Sequence, residues 1–472
     1  MADAKTELGR ETMLGLVAMG LAVLVIANDF TALSVALPAI ESSFATDVTT
    51  VQWVINGYGL VFGVFIVTGG RLADMFGRRR IFFIGSAIFA AFSVIGGFAT
   101  DIRLLLLCRA VMGIGGSMMW PAILGMTYGL LPESRKGLAG GLILGAAGFG
   151  NAVGPLLGGA LTDWLSWRSI FFLNLPIAAF AAFVTWRVVA ADRPDAPDQR
   201  IDYAGMAVLS IGLLALLVAL DEGTDLGWTN PLILGLFAAA VLALAAFAVI
   251  EARAGTRALV PADVLRNRQF LAACIATLMM SAIFFAALLY LPQFMAKALG
   301  YSAVGSGAGL LPMMAVFALT SFVAGPLYER LGPKLIVSTG ALCLTVGIFL
   351  LSLLERTTPY PSLVPGMVVL GVGVGLFYSS ITTAAVTALD ASRASLAGGI
   401  VYMFQVAGGS IGLGLNTALV VTAATLSEGI RTAFLVDAAL AACGLAVSVL
   451  FVGGKVDKAR LASLVHRHRA HG

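Results

Sequence analysis

The chain is an almost unbroken succession of apolar runs, each bounded by polar residues or by Pro/Gly turns. The runs fall at about 13–37, 51–70, 80–99, 103–130, 136–161, 169–189, 203–220, 231–250, 269–291, 303–325, 334–354, 362–386, 396–422 and 430–453. A run of ~20 apolar residues crosses the ~30 Å hydrocarbon core of a bilayer as helix. Helix is the natural choice, because backbone groups in lipid must be satisfied within their own segment. The pattern therefore predicts an all-α polytopic membrane protein with fourteen transmembrane helices. The first run is longer than a signal-peptide core and carries Asp29, so it reads as an uncleaved first helix.

Composition agrees with that picture. Of 472 residues, 59% are hydrophobic and only 11% charged, too little polar surface to clothe a soluble protein. The net charge of +4 invites a nucleic-acid partner, but the placement of charge refuses it. With the N-terminus cytoplasmic, inner segments collect Lys5, Arg10, Arg71, Arg78, Arg79, Arg80, Arg135, Lys136, Arg187, Arg193, Arg200, Arg253, Arg257, Arg266, Arg268, Arg330, Lys334, Arg393 and the basic tail from Lys455. Outer segments hold only Arg103, Arg168, Lys297, Arg356 and Arg431. The positive-inside rule thus puts both termini in the cytoplasm, as an even helix count also demands. Cys108, Cys274, Cys343 and Cys443 lie inside apolar runs and read as small buried hydrophobes. No metal site is expected: His466, His468 and His471 read as part of a solvated basic tail near anionic lipid.

The chain also repeats itself. Gly70-Arg-Leu72-Ala-Asp74-Met-Phe-Gly77-Arg78-Arg79 returns 255 residues later as Gly325-Pro-Leu327-Tyr-Glu329-Arg-Leu-Gly332-Pro-Lys334. Leu138-Ala-Gly-Gly141, with Gly150 and Gly154, is echoed by Leu396-Ala-Gly-Gly399, with Gly408 and Gly412, at an offset of 258. Two agreeing offsets imply a duplicated six-helix unit. The excess length falls on 203–266, which holds two helices. The expected plan is a six-helix bundle over 1–190, a linker and two inserted helices over 191–266, a second six-helix bundle over 267–453, and a cytoplasmic tail over 454–472. The stretch Asp192-Arg-Pro-Asp-Ala-Pro-Asp reads as the linker.

These motifs carry a resemblance. Gly70–Arg80 resembles the loop signature of the major facilitator superfamily between helices 2 and 3, and Arg109-Ala-Val-Met-Gly113 its second signature. Gly141, Gly150, Gly154-Pro155 and Gly158-Gly159 resemble its antiporter motif, although the second-half echo has Leu413 where the proline stands. Asn28-Asp29-Phe-Thr31 with Ala36-Leu37-Pro38, Gln52-Trp53 with Tyr58, and Trp167-Arg168 with Asn174-Leu-Pro176 are similar to the fourteen-helix drug:proton antiporter branch. The resemblance spans essentially the whole chain. It implies the major facilitator fold: two six-helix bundles around a central cavity, plus two inserted helices.

Asp29 is the leading candidate for proton coupling. It lies nine residues before Pro38, so ~13 Å below the outer end of its helix and near the bilayer midplane. A charged carboxylate there costs at least a few kcal/mol and seldom lacks a purpose. Arg109 enters from the outer end of helix 4 to within ~5 Å of that depth, a gap an arginine side chain bridges. Asp437, near mid-depth in the last helix, is either a second titrating site or hydrogen-bonded to a neighbour. The resemblance implies that Gly70, Asp74, Gly77, Arg78 and Arg79 form an inner gate, with Asp74 pairing with basic residues or a helix N-terminus. Helix 5 glycines let another helix approach closely, and Pro155 kinks that helix.

For the substrate, Tyr58, Met119, Trp120, Phe285, Tyr290, Gln293, Phe377, Tyr378 and Gln405 are the expected cavity residues. Aromatic and methionine walls suit varied lipophilic ligands. Helices 9 to 13 hold no acid in their membrane cores before Asp390, which argues against highly charged cations. The expected function is export of lipophilic drugs or other small amphiphilic compounds by proton-coupled alternating access at the cell inner membrane. A dedicated exporter of a native metabolite or lipid, or a non-transporting membrane receptor, are the rivals. No cofactor is expected, the proton gradient being the drive, and an enzyme is not expected, for there is no phosphate loop and no membrane histidine. The expected partners are a small substrate, protons and membrane lipid, with the protein working as a monomer and without nucleic acid.

Overall fold

The computed structural model describes residues 9–46, 48–190, 202–254 and 258–453. The expected linker 192–198, the tail from 454, and Lys5, Arg193, Arg200 and Arg257 lie outside the described residues. Among the described residues, fourteen helices are long and apolar enough to cross a membrane. They are α1 (Arg10–Phe44), α2 (Val48–Phe76), α3 (Arg78–Gly97), α4 (Ile102–Leu130), α5 (Lys136–Trp164), α6 (Arg168–Val188), α7 (Tyr203–Leu226), α8 (Pro231–Ala254), α9 (Arg268–Lys297), α10 (Leu311–Leu331), α11 (Pro333–Leu351), α12 (Tyr360–Val386), α13 (Ala394–Thr422) and α14 (Leu426–Phe451).

Side-chain caps fix several of the starts. Asp101 accepts the Arg103 amide at α4, Asn267 those of Gln269 and Phe270 at α9, and Thr425 that of Glu428 at α14. Each cap satisfies an N–H that has no partner inside its helix. The tenth apolar run is not one helix. It divides into a short helix, Ala303–Ala308, and α10, because three glycines (Gly305, Gly307, Gly309) precede Pro312 at the start of α10.

Within α1–α6, α1 packs on α5 and α6, α2 on α4, and α3 on α4 and α6. The same pattern recurs in α9–α14 with every number raised by eight: α9 on α13 and α14, α10 on α12, α11 on α12 and α14. The repeat read from sequence is therefore a repeat of packing. Its backbone shows it too, for Gly77 and Gly332 hold positive φ, +97° and +86°, at the two matching turns. Residues with a side chain are disfavoured in that region, so both turns call for glycine.

The halves meet along two seams, α5 against α10 and α12, and α13 against α2 and α4. The inserted helix α7 packs on α8 and lies over the α2–α13 seam. Outward faces carry exposed Leu, Phe and Val such as Phe180, Phe183, Leu242 and Leu319, as lipid contact requires.

Candidate functional site

The most deeply buried charges in the first half form one cluster. Asp29 and Arg109 are both 0% exposed. Nη1 of Arg109 donates to Oδ2 of Asp29 at 2.5 Å, and Nδ2 of Asn174 donates to Oδ1 at 2.9 Å. Nε of Arg109 donates to the Val54 carbonyl at 2.6 Å. The guanidinium carbon lies 4.3 Å from the centre of the Tyr58 ring. Asn174 also donates to Ser93 Oγ, which donates to the Phe171 carbonyl. Five helices thus meet at one carboxylate. A buried pair held this way is costly to break, ~3–5 kcal/mol when one partner is removed, because the other charge is left uncompensated.

A cavity of about 390 Å³ lies beside this cluster. Its walls come from α1 (Phe30, Thr31), α2 (Asn56, Leu60), α4 (Trp120), α5 (Asn151), α9 (Phe284, Phe285), α12 (Tyr378) and α13 (Tyr402, Gln405), with others between. No Asp, Glu, Lys or Arg is among the lining residues. Phe30 connects cavity and charge cluster: it lines the cavity, and its ring meets Tyr58 edge-on at 4.6 Å. The chain of contact is Phe30, Tyr58, Arg109, Asp29.

Four of the expected cavity residues line it: Trp120, Phe285, Tyr378 and Gln405. Five do not. Tyr58 lies under Arg109, behind the wall. Met119 packs towards Gly85 of α3, a face of α4 about 100° round from Trp120. Phe377 is likewise turned from its neighbour Tyr378, on the stretch of α12 that packs against Gly340 of α11. Tyr290 bonds Thr417 at 2.6 Å, and Gln293 sits more than a turn past Leu288, the last α9 residue in the lining. Sequence reasoning missed Leu217 of α7, which is in the wall. It also gave no role to Asn174, whose signal was an amide in an otherwise apolar run.

The two halves are locked together at the end of the molecule that carries Arg78, Arg135, Arg330 and Arg393. Asp74 accepts the Leu396 amide at 2.8 Å and the Ser395 amide at 3.3 Å, in the first turn of α13. Arg78 donates to Asp74 at 3.1 Å, to the Gly125 carbonyl at 3.1 Å and to the Ala391 carbonyl at 2.5 Å. Arg79 instead donates to the Trp186 carbonyl at the end of α6, within the first half. Glu329 makes the mirrored contact, accepting the Leu138 amide at 3.2 Å in the first turn of α5. Gly137 and Gly325 meet backbone to backbone, and a Cβ on either would lie 2.7–2.8 Å from the other's carbonyl oxygen. Tyr128 and Thr383 share a hydrogen bond of 2.9 Å across the same end. Outside the membrane helices, Asp263 pairs with Arg393. Burial pushes the Asp263 carboxyl up, but the Arg393 hydrogen bond and charge outweigh this and hold it below the usual range.

The helix 5 glycines divide between two partners. A Cβ on Gly141 would meet the Ser321 carbonyl of α10 at 2.7 Å, across the halves. Gly150, Gly154 and Gly158 face α1 at Leu24, Thr31 and Ala32, while Gly159 meets only Val35 at 3.7 Å. Pro155 lies within a continuous helix. In the second half, Asp437 is buried and accepts from Asn416 at 2.9 Å, and the middle turns of α9, α11 and α13 contain no Asp, Glu, Lys, Arg or His. Among the described residues, no group of three or more His, Cys, Asp or Glu is placed to hold a metal.

Comparison with known proteins fits this arrangement. The Major Facilitator Superfamily model matches residues 19–413 and again 273–467. The multidrug resistance protein Stp of Mycobacterium tuberculosis is 33% identical over 409 residues, 86% of this chain and 75% of that one. The puromycin resistance protein pur8 of Streptomyces alboniger is 33% identical, covering 85% and 80%. The tetracenomycin C resistance and export protein of Streptomyces glaucescens is 30% identical, covering 86% and 76%. The crystal structure of the human organic anion transporter MFSD10 (TETRAN) superposes with a TM-score of 0.68 at 14% identity, covering 93% of this chain and 99% of that one, which shows the shared fold. The chain is a multi-pass membrane transporter that belongs to the Major Facilitator Superfamily, in its fourteen-helix drug:proton antiporter branch.

Proposed function

We propose that the protein exports lipophilic or small amphiphilic compounds across the cytoplasmic membrane in exchange for protons, by alternating access. The observation that carries this reading is the buried Asp29–Arg109 pair set one aromatic layer behind an uncharged cavity. A proton arriving at Asp29 removes the charge that holds Arg109. The freed guanidinium then bears on Tyr58, and Tyr58 on Phe30 in the cavity wall. Substrate pressing on Phe30 acts through the same contacts in reverse, as reciprocal coupling between two sites requires. The proton gradient supplies the drive and no cofactor takes part.

The sealed, arginine-rich end is the cytoplasmic one, with both termini on that side, as the distribution of Arg and Lys favours. The conformer is then outward-facing: the seal lies inside, and cavity walls reach towards the outer end at Asn56 and Leu413. Asp74 and Glu329 are the latches of that state. The Asp437 carboxyl is held in reserve as a second coupling site.

The uncharged, aromatic wall favours neutral lipophiles and monocations, the latter through ring faces. A second reading has one observation behind it: two relatives are named for export of a single compound, tetracenomycin C and cephamycin. A dedicated exporter of a native metabolite would use the same cycle. The test is proton movement in proteoliposomes on adding a panel of lipophilic monocations and neutral compounds. Flux evoked by several unrelated compounds supports multidrug export. Flux evoked by one compound alone supports the dedicated exporter, and binding without flux would sink both.

A further inference from the structure

The inserted helices are not spectators of the transport cavity. The buried stripe of α7 runs through Leu209, Leu213, Leu217 and Leu220, at helical spacing along one face. That face lies on α2 of the first half and α13 of the second. The fit depends on missing side chains: Leu217 Cδ1 lies 3.4 Å from where a Cβ on Gly63 of α2 would stand, and Val406 of α13 lies 3.1 Å from it. Just past the C-terminal end of α7, the Trp228 ring fills the notch left by Gly414 of α13, 2.9 Å from its Cβ position. Leu217 then continues through the seam and is one of the cavity-lining residues, although only 5% exposed. In α8 only Ile233 and Ala240 are buried, so α8 has the lipid side and α7 the cavity side. Among the described residues, the matching seam between α5 and α10 receives no such membrane-spanning helix.

We propose that α7 forms the cavity wall at the α2–α13 seam and that Leu217 touches the substrate, setting the size of lipophile the cavity admits. This rests on the export reading above. Beside Leu217, the wall at that seam is made by Gly59 and Leu60 of α2 and Val406 and Gly409 of α13. The branched apolar side chain of Leu217 closes the wall there, and its volume subtracts from the space for ligand.

Two measurements on the reconstituted full chain test this. The first needs no transport. Leu217→Cys and Leu214→Cys are compared for reaction with a charged, water-soluble methanethiosulfonate, Leu214 being on the exposed, lipid side of α7. Modification of Leu217→Cys at least ~10-fold faster than Leu214→Cys is expected; equal rates would overturn the proposal even if the protein exports nothing. The second uses the tetraalkylammonium series from ethyl to hexyl as lipophilic monocations of graded size. Leu217→Phe should raise KM for the bulkiest transported member at least ~5-fold relative to the smallest, and Leu217→Ala should lower that ratio, with kcat little changed; a methylene in an apolar pocket is worth ~10-fold or more. A uniform fall in kcat across the series, or the same pattern in Leu214→Phe, would contradict it. Absence of flux in the native protein would count against the export reading and leave the labelling result to decide this one.

Discussion

Asp74 and Glu329 perform the same act from opposite halves. Each sits at the fifth position of the repeated motif, and each accepts a backbone amide in the first turn of a helix belonging to the other half, Leu396 for Asp74 and Leu138 for Glu329. Leu138 and Leu396 are themselves repeat partners, 258 residues apart. The latch is therefore one duplicated device, swapped across the pseudo-symmetry axis. A carboxylate at a helix start gains from both the unpaired amides and the helix dipole.

Asp74→Asn and Glu329→Gln should each loosen the sealed end. A hydrogen bond to a charged group is worth ~1.5–3 kcal/mol, so each change shifts the balance between sealed and open conformers by ~10-fold or more. Spin labels at Ser134→Cys and Ser392→Cys, on opposite halves of that end, read the shift as a second, longer distance population. The double variant should exceed either single one. Distances unmoved by both changes would mean that glycine packing alone holds the seal.

Gly158→Ala and Gly159→Ala are adjacent substitutions with opposite expected outcomes. A methyl group at Gly158 meets the α1 backbone at Ala32, and overpacking of that kind costs ~1–3 kcal/mol. At Gly159 only Val35 stands nearby, at ordinary contact distance, and alanine gains ~0.5–1 kcal/mol from helix propensity. Thermal unfolding in detergent should place Gly158→Ala below the native protein and Gly159→Ala level with it or above. The reverse order would show that α1 and α5 do not pack as described.

Arg109→Lys keeps the charge but loses the fork. A lysine cannot donate to Val54 and Asp29 together while lying flat on Tyr58. Coupled flux should fall at least ~10-fold, while expression and fold are retained because the buried charge is still paired. Full activity in Arg109→Lys would reduce the arginine to a counter-charge.

The number of helices, their order and the repeat were legible because lipid demands uninterrupted apolar segments, and those leave a plain mark. The Asp29–Arg109 contact was legible as well, since a charge in an apolar run advertises itself and depth follows from helix rise. What could not be read was which face of each helix looks inward. In a soluble helix polar residues mark the outside; here both faces of α4 and α12 are apolar, so Met119 and Phe377 looked as suited to the cavity as Trp120 and Tyr378. Tyr58 misled for another reason: its ring serves the guanidinium behind the wall. The cross-half role of Glu329 was visible only as a recurring acid, because the partner is a backbone amide and leaves no mark in sequence.

The most direct test of the central claim separates transport from coupling in Asp29→Asn. Substrate counterflow between equal proton concentrations asks only for alternating access, whereas uphill accumulation driven by an imposed proton gradient asks for a protonatable group as well. Asn keeps the shape, and its one carbonyl oxygen can still accept from Arg109. Counterflow within a few-fold of native, with uphill accumulation abolished, is the predicted result. Undiminished proton-driven accumulation in Asp29→Asn would contradict the account and remove Asp29 as the coupling carboxylate.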